Sequence, residues 1–550
     1  MRSLHVMRFV VAVVLGALGV VLPTIETARA EIVFGPPVHL GAPLNTADSD
    51  GSPSISADEL TLYFDSDRPG GSGSWDIWMA TRSAKDQPWG TPQNVGWPVN
   101  TWNTEAQPDI SADGLSLFFM SDRAGGYGGR DLWVATRRTP DDPWGIPVNL
   151  GPRVNSAGSE GQPSISADGL QLYFHSNRSG GFQDLWVTTR QTIDSDWETP
   201  NYVVGVNSAL LDQGPGISSN GLALFFESTR SGGAAPNIYV STRPTVADHW
   251  QTPIYIDAIN SSWRDADPDL SFDGRTLYFT SHRLEGFGYE DLWQTSLIPI
   301  VDFNGDGKVD GAEIRRLADV WGQYQPAYDV GPFPLGDGVV GVEDLAVLAE
   351  YIGTDITEPA LIAHWTLDEG QGVTVGETVS GKEGMLFGNP HWRPDGGMVG
   401  GALQLDGKDN FVATNVWIDP SEGPLSVFAW VKGGRPGQVI LAQETGANWL
   451  LANAADGSLA TELIGEGRFT TPLLSQSRIT DGQWHRVGVT WDGVTRALYV
   501  DDVVVAEDMQ GPLPRVQGEL YLGGGANLTN ESLWSGMIDE VRIYSRCVRP

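Results

Sequence analysis

Short runs of alternating apolar and polar residues dominate the first half of the chain, and they recur five times. Each copy opens on a proline, passes through a Ser-Ala-Asp-Gly-type turn and continues into a second alternating run that ends in Ser-x-Arg. The copies start at Pro53, Pro108, Pro163, Pro215 and Pro268, so that successive starts are 55, 55, 52 and 53 residues apart. Period-two alternation predicts half-buried strands, and a long fixed period indicates a repeat architecture.

Every copy continues with a Gly-rich loop and a strand that opens on an acidic or amide residue. That residue precedes one aliphatic and one aromatic residue, which we call the aromatic pair. The first four copies add a strand around Trp89, Trp144, Trp197 or Trp250, so a complete unit has four short strands. Four antiparallel strands per unit are typical of a propeller blade. The pattern therefore predicts a five-bladed β-propeller over residues 31–299.

The fifth copy lacks its fourth strand and runs directly into Pro299. The segment that begins at Phe34 is similar to the one that begins at Trp144, so the N-terminal strand is expected to complete the last blade. Such a closure removes an open sheet edge. The copies resemble the WD-like repeats of TolB-type propellers, which implies a fold and no particular activity, because propellers serve as hydrolases, lectins and scaffolds.

Residues 302–313 have oxygen-bearing side chains at the spacing of an EF-hand calcium loop. Gly307 occupies the sharp turn, and the backbone carbonyl of Lys308 supplies one ligand. The predicted calcium ligands are Asp302, Asn304, Asp306, Lys308, Asp310 and Glu313. The cofactor predicted for this protein is accordingly Ca²⁺.

A second, degenerate loop follows, in which only Asp337 and Asp344 fill ligand positions. Each loop precedes a predicted helix, with apolar faces formed by Ile314, Leu317 and Trp321 and by Leu345, Leu348 and Ile352. Two loop-helix units of this kind resemble a type I dockerin over residues 300–353, which implies docking to a cohesin. Glu313 in place of the family's usual Asp, and the degenerate second loop, favour a calcium-stabilised spacer between two β domains.

Strands and turns without an internal repeat fill residues 360–550, after a linker at 354–359. Segments such as Gly482-QWHRVGVTWDG and Gly536-MIDEVRIYSR occur in the order found in laminin-G-like, concanavalin A-like jelly rolls, which this region resembles. The resemblance implies a two-sheet sandwich that binds glycans, proteins or cell surfaces, often with a calcium ion at its rim. Asp406 and Asp409 are candidates for that ion, with simple turn chemistry as the alternative. The paired-glutamate Glu-x-Asp-x-x-Glu strand of the glycanase relatives does not occur in the sequence.

The net charge and the N-terminal segment indicate which partners and which location to expect. The formal net charge is −35, which disfavours nucleic acid as a partner and is compatible with Ca²⁺ and neutral glycans. Residues 1–30 have Arg2 and Arg8, then an apolar run and an Ala-Arg-Ala ending, as a secretory signal peptide has. The apolar run is too short to span a membrane. We therefore expect a secreted or cell-surface protein with no transmembrane segment in its mature chain. Cys547 is the only cysteine, so no intrachain disulfide can form.

One position of the repeat varies from blade to blade, just before the recurring serine. Asp65, His175 and Glu227 are the candidates there for ligand binding or catalysis, with Met120 and Thr280 in the other two copies. The loop aromatics Tyr127, Phe182 and Phe287 are candidates for stacking on sugar rings. The arginine at the end of every copy is instead expected to form a repeated structural bond to the acidic residue before the aromatic pair, or to loop carbonyls.

The sequence favours a mainly β, non-catalytic protein that binds and displays glycans or surface proteins with the help of calcium. One alternative is a propeller glycoside hydrolase in polysaccharide degradation, with the dockerin-like and lectin-like parts as accessory modules. That alternative requires two or three carboxylates to converge in the propeller channel. The other alternative is a structural protein of an envelope or matrix.

Overall fold

The computed structural model describes residues 33–548, apart from residues 233–234, 257, 304–307, 324, 326–327, 332, 334–335, 337–338, 354–359, 445–446 and 465–470. It is a mainly β structure with a five-bladed propeller and a C-terminal two-sheet sandwich, as predicted. The described residues contain three helices, and none of them is long and apolar enough to cross a membrane. The predicted signal peptide and linker lie outside the described residues.

Blades 1 to 4 are antiparallel sheets of four strands each, and their inner strand comes first in the sequence. The strands of blade 1 are Asp50–Ile55, Thr61–Ser66, Asp76–Thr81 and Gln93–Asn94, and those of blade 2 are Glu105–Ile110, Ser116–Ser121, Asp131–Thr136 and Val148–Asn149. Blade 3 has Glu160–Ile165, Gln171–Ser176, Asp184–Thr189 and Asn201–Tyr202, and blade 4 has Asp212–Ile217, Ala223–Ser228, Asn237–Thr242 and Ile254–Tyr255. A helix of four residues, Gly151–Val154, follows blade 2.

Blade 5 is closed by the N-terminal segment, which confirms the predicted seam. Its own strands are Asp265–Leu270, Thr276–Ser281 and Asp291–Ile298. Val38–His39 pairs with the outer strand, with His39 opposite Trp293, and Val33–Phe34 pairs further along the same strand. The two ends of the propeller therefore hydrogen-bond to each other.

The recurring arginines are structural, although one of their partners differs from the prediction. In every blade the guanidinium donates to a carbonyl of the loop before the inner strand, as Arg178 does to Val154 at 2.5 Å. The acidic partner is the first residue of the inner strand: Glu160 lies 3.3 Å from Arg178, and Asp265 lies 2.6 Å from Arg283. The acidic residue before the aromatic pair instead accepts backbone N–H groups of the Gly-rich loop in three blades, as Asp131, Asp291 and Asp76 do.

Bonds between blades form a ring around the propeller axis. The side chain one residue before the end of an inner strand accepts the N–H of the last residue of the neighbouring inner strand. The acceptors are Ser54, Asp109, Ser164 and Asp269, and the bond from Ile55 to Asp269 joins the first blade to the last. Blade 4 has Gly216 at this position, where an added Cβ would lie 2.2 Å from the carbonyl oxygen of Pro268. Close packing of the two backbones thus replaces the bond there.

Two helices, Gly311–Asp319 and Val342–Ala349, lie between the propeller and the sandwich and share a small apolar core. Leu317 and Leu348 are buried in that core, as their helical spacing predicted. Three of the predicted face residues are exposed instead, namely Ile314, Trp321 and Ile352. The last two lie beyond the ends of the helices, which are shorter than the apolar spacing suggested.

The helical segment contacts both β structures. Arg275 of blade 5 donates to the Tyr351 hydroxyl at 2.9 Å and to the Glu350 carboxylate at 2.6 Å. Arg316 of the first helix lies 3.8 Å from Asp502 of the sandwich. Each helical unit is thus tied to a different neighbour.

The sandwich consists of two eight-stranded sheets around one large core, which includes Trp365, Trp449 and Trp534. One sheet has, in spatial order, His391–Arg393, Ala402–Gln404, Gly536–Tyr544, Leu425–Gly433, Trp484–Trp491, Thr495–Val500 and Val503–Met509, with Leu361–Trp365 also paired to Gly536–Tyr544. The other has Thr374–Gly376, Glu383–Phe387, Phe411–Ala413, Leu520–Leu522, Val439–Gln443, Asn448–Ala452, Ser458–Thr461 and Leu473–Arg478. This arrangement is the jelly roll that the strand signatures predicted.

Candidate functional site

The variable position of the repeat lines the propeller channel. Asp65, His175 and Glu227 each lie opposite the second residue of an inner strand, and all three are buried. A Cβ on Gly51, the partner of Asp65, would be 3.4 Å from Asp65 and 3.4 Å from Thr280 of blade 5. The circular closure therefore brings the variable positions of different blades to one end of the channel.

A β-bulge in every inner strand directs a second set of side chains toward the same end of the channel. The residue before the recurring proline has a positive φ of 45° to 62°, and the strand register shifts there. These residues are Ser52, Gln107, Gln162, Gly214 and Asp267, and they line a cavity of about 30 Å³ on the axis. Their identities vary around the ring, with glutamine in only two blades, which is the sequence signal that could have marked them as site residues.

Hydrogen bonds link these two sets across the blades. The Gln107 N–H donates to Asp65 at 2.7 Å, and the Gln107 side chain accepts the Gln162 N–H at 3.0 Å. The Gln162 amide oxygen lies 2.8 Å from Nδ1 of His175, and its NH₂ group donates to Asp267 and, at 3.3 Å, to Glu227. Because the contacts cross from blade to blade, the site is fixed by the whole ring.

Arg264 is the cation at the centre of this cluster, and no motif or repeat position in the sequence predicted it. Its guanidinium lies 3.3 Å from Glu227, 3.6 Å from Asp267 and 2.8 Å from Glu290. His282 lies 3.1 Å from Glu290 on the other side. We call these residues the channel cluster: Asp65, Gln107, Gln162, His175, Glu227, Arg264, Asp267, His282 and Glu290.

The carboxyl groups of the channel cluster differ in the direction of their pKa shifts. Burial raises the pKa of Asp65 to about 8 and that of Glu227 to about 7, although Arg264 opposes the second shift. Burial also acts on Glu290, but hydrogen bonds from His282 and Arg264 bring its pKa below the ordinary value. Burial lowers the pKa of His175 to about 3, so its imidazole is neutral at pH 7. A carboxylic acid and a carboxylate held by one arginine are the pair that acid–base chemistry requires.

Two further carboxyl groups, of the buried Asp109 and the half-buried Asp269, lie in the channel, in the ring of bonds between blades. Asp109 and Asp269 each accept one backbone N–H at 2.7 Å. Burial raises the pKa of Asp269 to about 7, and burial together with the charge of Asp269 raises that of Asp109 well above its ordinary value. Ionisation of these groups therefore opposes folding.

Replacing Asp269 by asparagine is expected to stabilise the protein at pH 8 and to change little near pH 4. Asparagine keeps an oxygen for the Ile55 N–H. The wild-type carboxyl has a folded pKa above its unfolded value of about 3.9, so its contribution is fully present below that pH and is lost as the pH rises through about 7. The gain at pH 8 should not exceed about 4 kcal/mol. The measurement is the melting temperature of D269N minus that of wild type from pH 4 to 8, with exposed Asp86→Asn as control. A difference that stays constant over this range would contradict the prediction.

The face of the propeller at this end of the channel has exposed aromatic side chains. The Gly-rich loops and the loops before the inner strands meet there, as in the hydrogen bond from Ser159 to Asn177. Seven exposed aromatics lie on these loops: Trp97, Trp102, Tyr127, Phe182, Trp263, Phe287 and Tyr289. The three predicted stacking residues are among them, and Phe287 also makes an edge contact with His39, with ring centroids 4.8 Å apart. We call this surface the loop face.

The predicted calcium loop is described in part. Asp302 and Glu313 are buried, Glu313 accepts the Asp310 N–H at 2.8 Å, and Asp310 caps the following helix. Asn304 and Asp306 lie outside the described residues, as does Asp337 of the second loop. Among the described residues, no three His, Cys, Asp or Glu side chains gather as metal ligands. Two buried carboxylates at the first and last loop positions fit a hard cation, which prefers oxygen ligands.

In the sandwich, Asp406 accepts the N–H of Lys408 at 2.9 Å, as in a simple turn. His485 lies between Asp501 at 2.8 Å and Asp481 at 3.1 Å, on the surface of the sheet. Neither residue joins the channel cluster. The candidate site that the structure assembles is therefore in the propeller.

Residues 406–550 match the family model described as the concanavalin A-like lectin/glucanases superfamily, Laminin_G_3. No curated protein matches the chain in sequence.

Several solved structures are similar in fold. Trypanosoma rangeli sialidase in complex with the inhibitor DANA is 11% identical, with 92% of each chain covered and a TM-score of 0.45. The putative TolB from Agrobacterium tumefaciens is 16% identical over 46% of this chain and 92% of its own, with a TM-score of 0.31. The Podospora anserina α-L-arabinofuranosidase in complex with cellotriose is 12% identical over 50% of this chain and 98% of its own, with a TM-score of 0.34. Likenesses this distant carry no argument about function.

Proposed function

We propose that this protein is an exported glycan-binding protein whose recognition surface is the loop face of the propeller. The observation that carries the proposal is the set of seven exposed aromatics on that one face, around the mouth of a polar channel. Exposed aromatic rings with fixed polar groups beside them are suited to ligands that have both apolar and hydroxylated faces. The match of residues 406–550 to a lectin/glucanase superfamily supports a glycan as the ligand class.

The helical segment serves as a calcium-stabilised joint in this proposal. Its contacts to Arg275 of the propeller and to Asp502 of the sandwich support a role between two β structures rather than a role as a free docking module. Calcium would be held by Asp302, Asn304, Asp306, Lys308, Asp310 and Glu313. The predicted signal peptide supports an extracellular or cell-surface location.

A glycan-array screen of the mature chain, in millimolar Ca²⁺ and again in EDTA, tests the proposal. We expect binding to a defined group of glycans, and the same selectivity with weaker signals in EDTA. Silence under both conditions would reject glycan binding. A changed selectivity in EDTA would contradict a purely structural role for calcium.

Glycoside hydrolysis is the second candidate function, and one observation favours it. Glu227, Asp267 and Glu290 converge on Arg264 in the channel, and the pKa values of Glu227 and Glu290 are shifted in opposite directions. Glu227 would be the acid and Glu290 the carboxylate partner. Release of reducing ends from array-positive glycans by wild type, and its loss in Glu227→Gln with binding retained, would establish an enzyme. Binding without release by wild type would reject this candidate.

A further inference from the structure

A cleft of about 560 Å³ opens on the loop face at blade 5, beside the seam. Its walls include Trp263, Leu284 and Glu285, and the indole of Trp293 lies at its floor. The volume is within the range of small-molecule sites. The cleft lies apart from the axial cavity, because the two share no lining residue.

Blade 5 departs from the repeat at one position of its Gly-rich loop, beside the cleft. The other four blades have a glycine with positive φ two residues after the recurring arginine: Gly70, Gly125, Gly180 and Gly232. In blades 1 and 2 that glycine lies against an indole, with an added Cβ 3.6 Å from Trp78 or 3.7 Å from Trp133. Glu285 takes this position in blade 5 and does not have a positive φ, since a side chain disfavours that conformation. Glu285 thus brings a carboxylate to the cleft wall at a position where the other four blades have no side chain.

Trp263 is the second departure of blade 5 from the repeat. The equivalent positions of the other blades are occupied by Asp48, Asn103, Gly158 and Leu210. Trp263 is 45% exposed, and its loop is pinned because Asp265 accepts both the N–H and the hydroxyl of Ser261, at 2.5 and 2.7 Å. The indole is thus presented on an ordered backbone, so little conformational entropy is lost when a ligand stacks on it.

The groups around the cleft specify the chemistry of the ligand. Trp263 and Leu284 provide apolar surface, while Ser262 and Glu285 provide a hydroxyl and a carboxylate as polar partners. Arg283 also lines the cleft, but its charge is paired with Asp265 at 2.6 Å. His39, which lines the cleft as well, lies 3.5 Å from Asp291. Both cationic groups among the described lining residues thus face a carboxylate elsewhere, and the exposed carboxylate of Glu285 repels an acidic sugar.

From this geometry we infer that the cleft is a subsite for a neutral pyranose unit, which stacks on Trp263 and donates a hydroxyl hydrogen bond to Glu285. The inference rests on the proposed glycan-binding function and gives it a location and a sugar class. It also predicts that acidic polysaccharides bind less well than neutral ones.

Affinity electrophoresis of the mature chain in gels that contain soluble β-glucan, arabinoxylan, galactomannan or polygalacturonate tests the inference. The variant is Trp263→Ala, and the matched control is Phe272→Ala, an aromatic residue that is 46% exposed in the turn after the inner strand of blade 5, at the end opposite the loop face. We expect wild type to be retarded by at least one neutral polymer and not by polygalacturonate. The retardation should correspond to about tenfold weaker affinity in W263A and to an unchanged affinity in F272A. Melting temperatures equal to that of wild type would show that both variants are folded.

The outcomes separate the two proposals. If wild type is retarded and W263A is retarded equally, or if F272A is weakened as much as W263A, the cleft would be overturned while glycan binding would stand. Preferential retardation by polygalacturonate would overturn the neutral-sugar assignment. A wild-type chain that no polymer retards, and that the glycan array also leaves silent, would overturn both the cleft and the proposed function.

Discussion

Replacing Arg264 by glutamine is expected to lower the free energy of unfolding of the propeller by about 3–5 kcal/mol at pH 8. The guanidinium contacts Glu227, Asp267 and Glu290, and the first two of these carboxyl groups are buried. Removing the cation that the three share leaves their negative charges desolvated and repelling one another. The size of the effect follows from the loss of a buried partner rather than from the loss of three surface ion pairs.

The same substitution should become less harmful as the pH falls. Arg264 and His282 hold the pKa of Glu290 below its ordinary value, so this contribution to wild-type stability is present above the unfolded pKa and is lost at acid pH. In the variant, protonation of the carboxyl groups relieves their repulsion. The difference between variant and wild type should therefore shrink between pH 8 and pH 5.

Urea unfolding followed by tryptophan fluorescence at both pH values is the measurement. Arg138→Gln is the control, because that side chain is 90% exposed and lies 3.5 Å from Asp142, and its loss should change stability by less than about 0.5 kcal/mol. If Arg264→Gln stayed within about 1 kcal/mol of wild type at pH 8, Arg264 would not be the group that holds the channel cluster together.

Glutamine in place of Glu313 is expected to weaken calcium binding by on the order of 100-fold. Glu313 occupies the last position of the predicted loop, is buried, and begins the helix Gly311–Asp319 together with Asp310. A neutral amide keeps one oxygen but loses the negative charge and the second oxygen that a divalent cation would use. The melting temperature of wild type should therefore fall in EDTA, and that of the variant should be insensitive to EDTA.

Isothermal titration with Ca²⁺ measures the affinity directly. Glu343→Gln is the matched control, because Glu343 is exposed on the second helix and its replacement removes the same charge from the same segment. We expect Glu343→Gln to bind calcium as wild type does. Unchanged affinity in Glu313→Gln would move the site away from residues 302–313, and an equal loss in both variants would indicate a general effect of charge.

Much of the fold could be predicted because it depends on the local periodicity of apolar and polar residues and on the repeat of whole units. The five copies, their turns and the missing fourth strand of the last copy are visible in the sequence, and the seam between His39 and Trp293 follows from them. The helix ends could not be predicted as well, because Trp321 and Ile352 continue an apolar spacing that the backbone does not follow. Helix length is decided by packing against the neighbouring structure rather than by spacing alone.

The candidate site was predicted only in part. Asp65, His175 and Glu227 were found because they vary at a fixed position of the repeat, whereas Arg264 lies in a loop with no repeat signal of its own. Gln107, Gln162 and Asp267 look like ordinary strand residues in the sequence. In the structure their positive φ forms a bulge, and the bulge directs their side chains into the channel.

The sequence by itself determined the number of blades, the strand pattern of each blade, the closure by the N-terminus and the two-sheet class of the C-terminal part. These features follow from alternation and turn chemistry, which act over a few residues and are repeated. Only the tertiary structure decided which variable residues meet, because a ring of blades joins Ile55 to Asp269 across 214 positions of the chain. It also decided that Trp263 and Glu285, which lie on two different loops of blade 5, form the walls of one cleft, because the fold packs these loops beside each other.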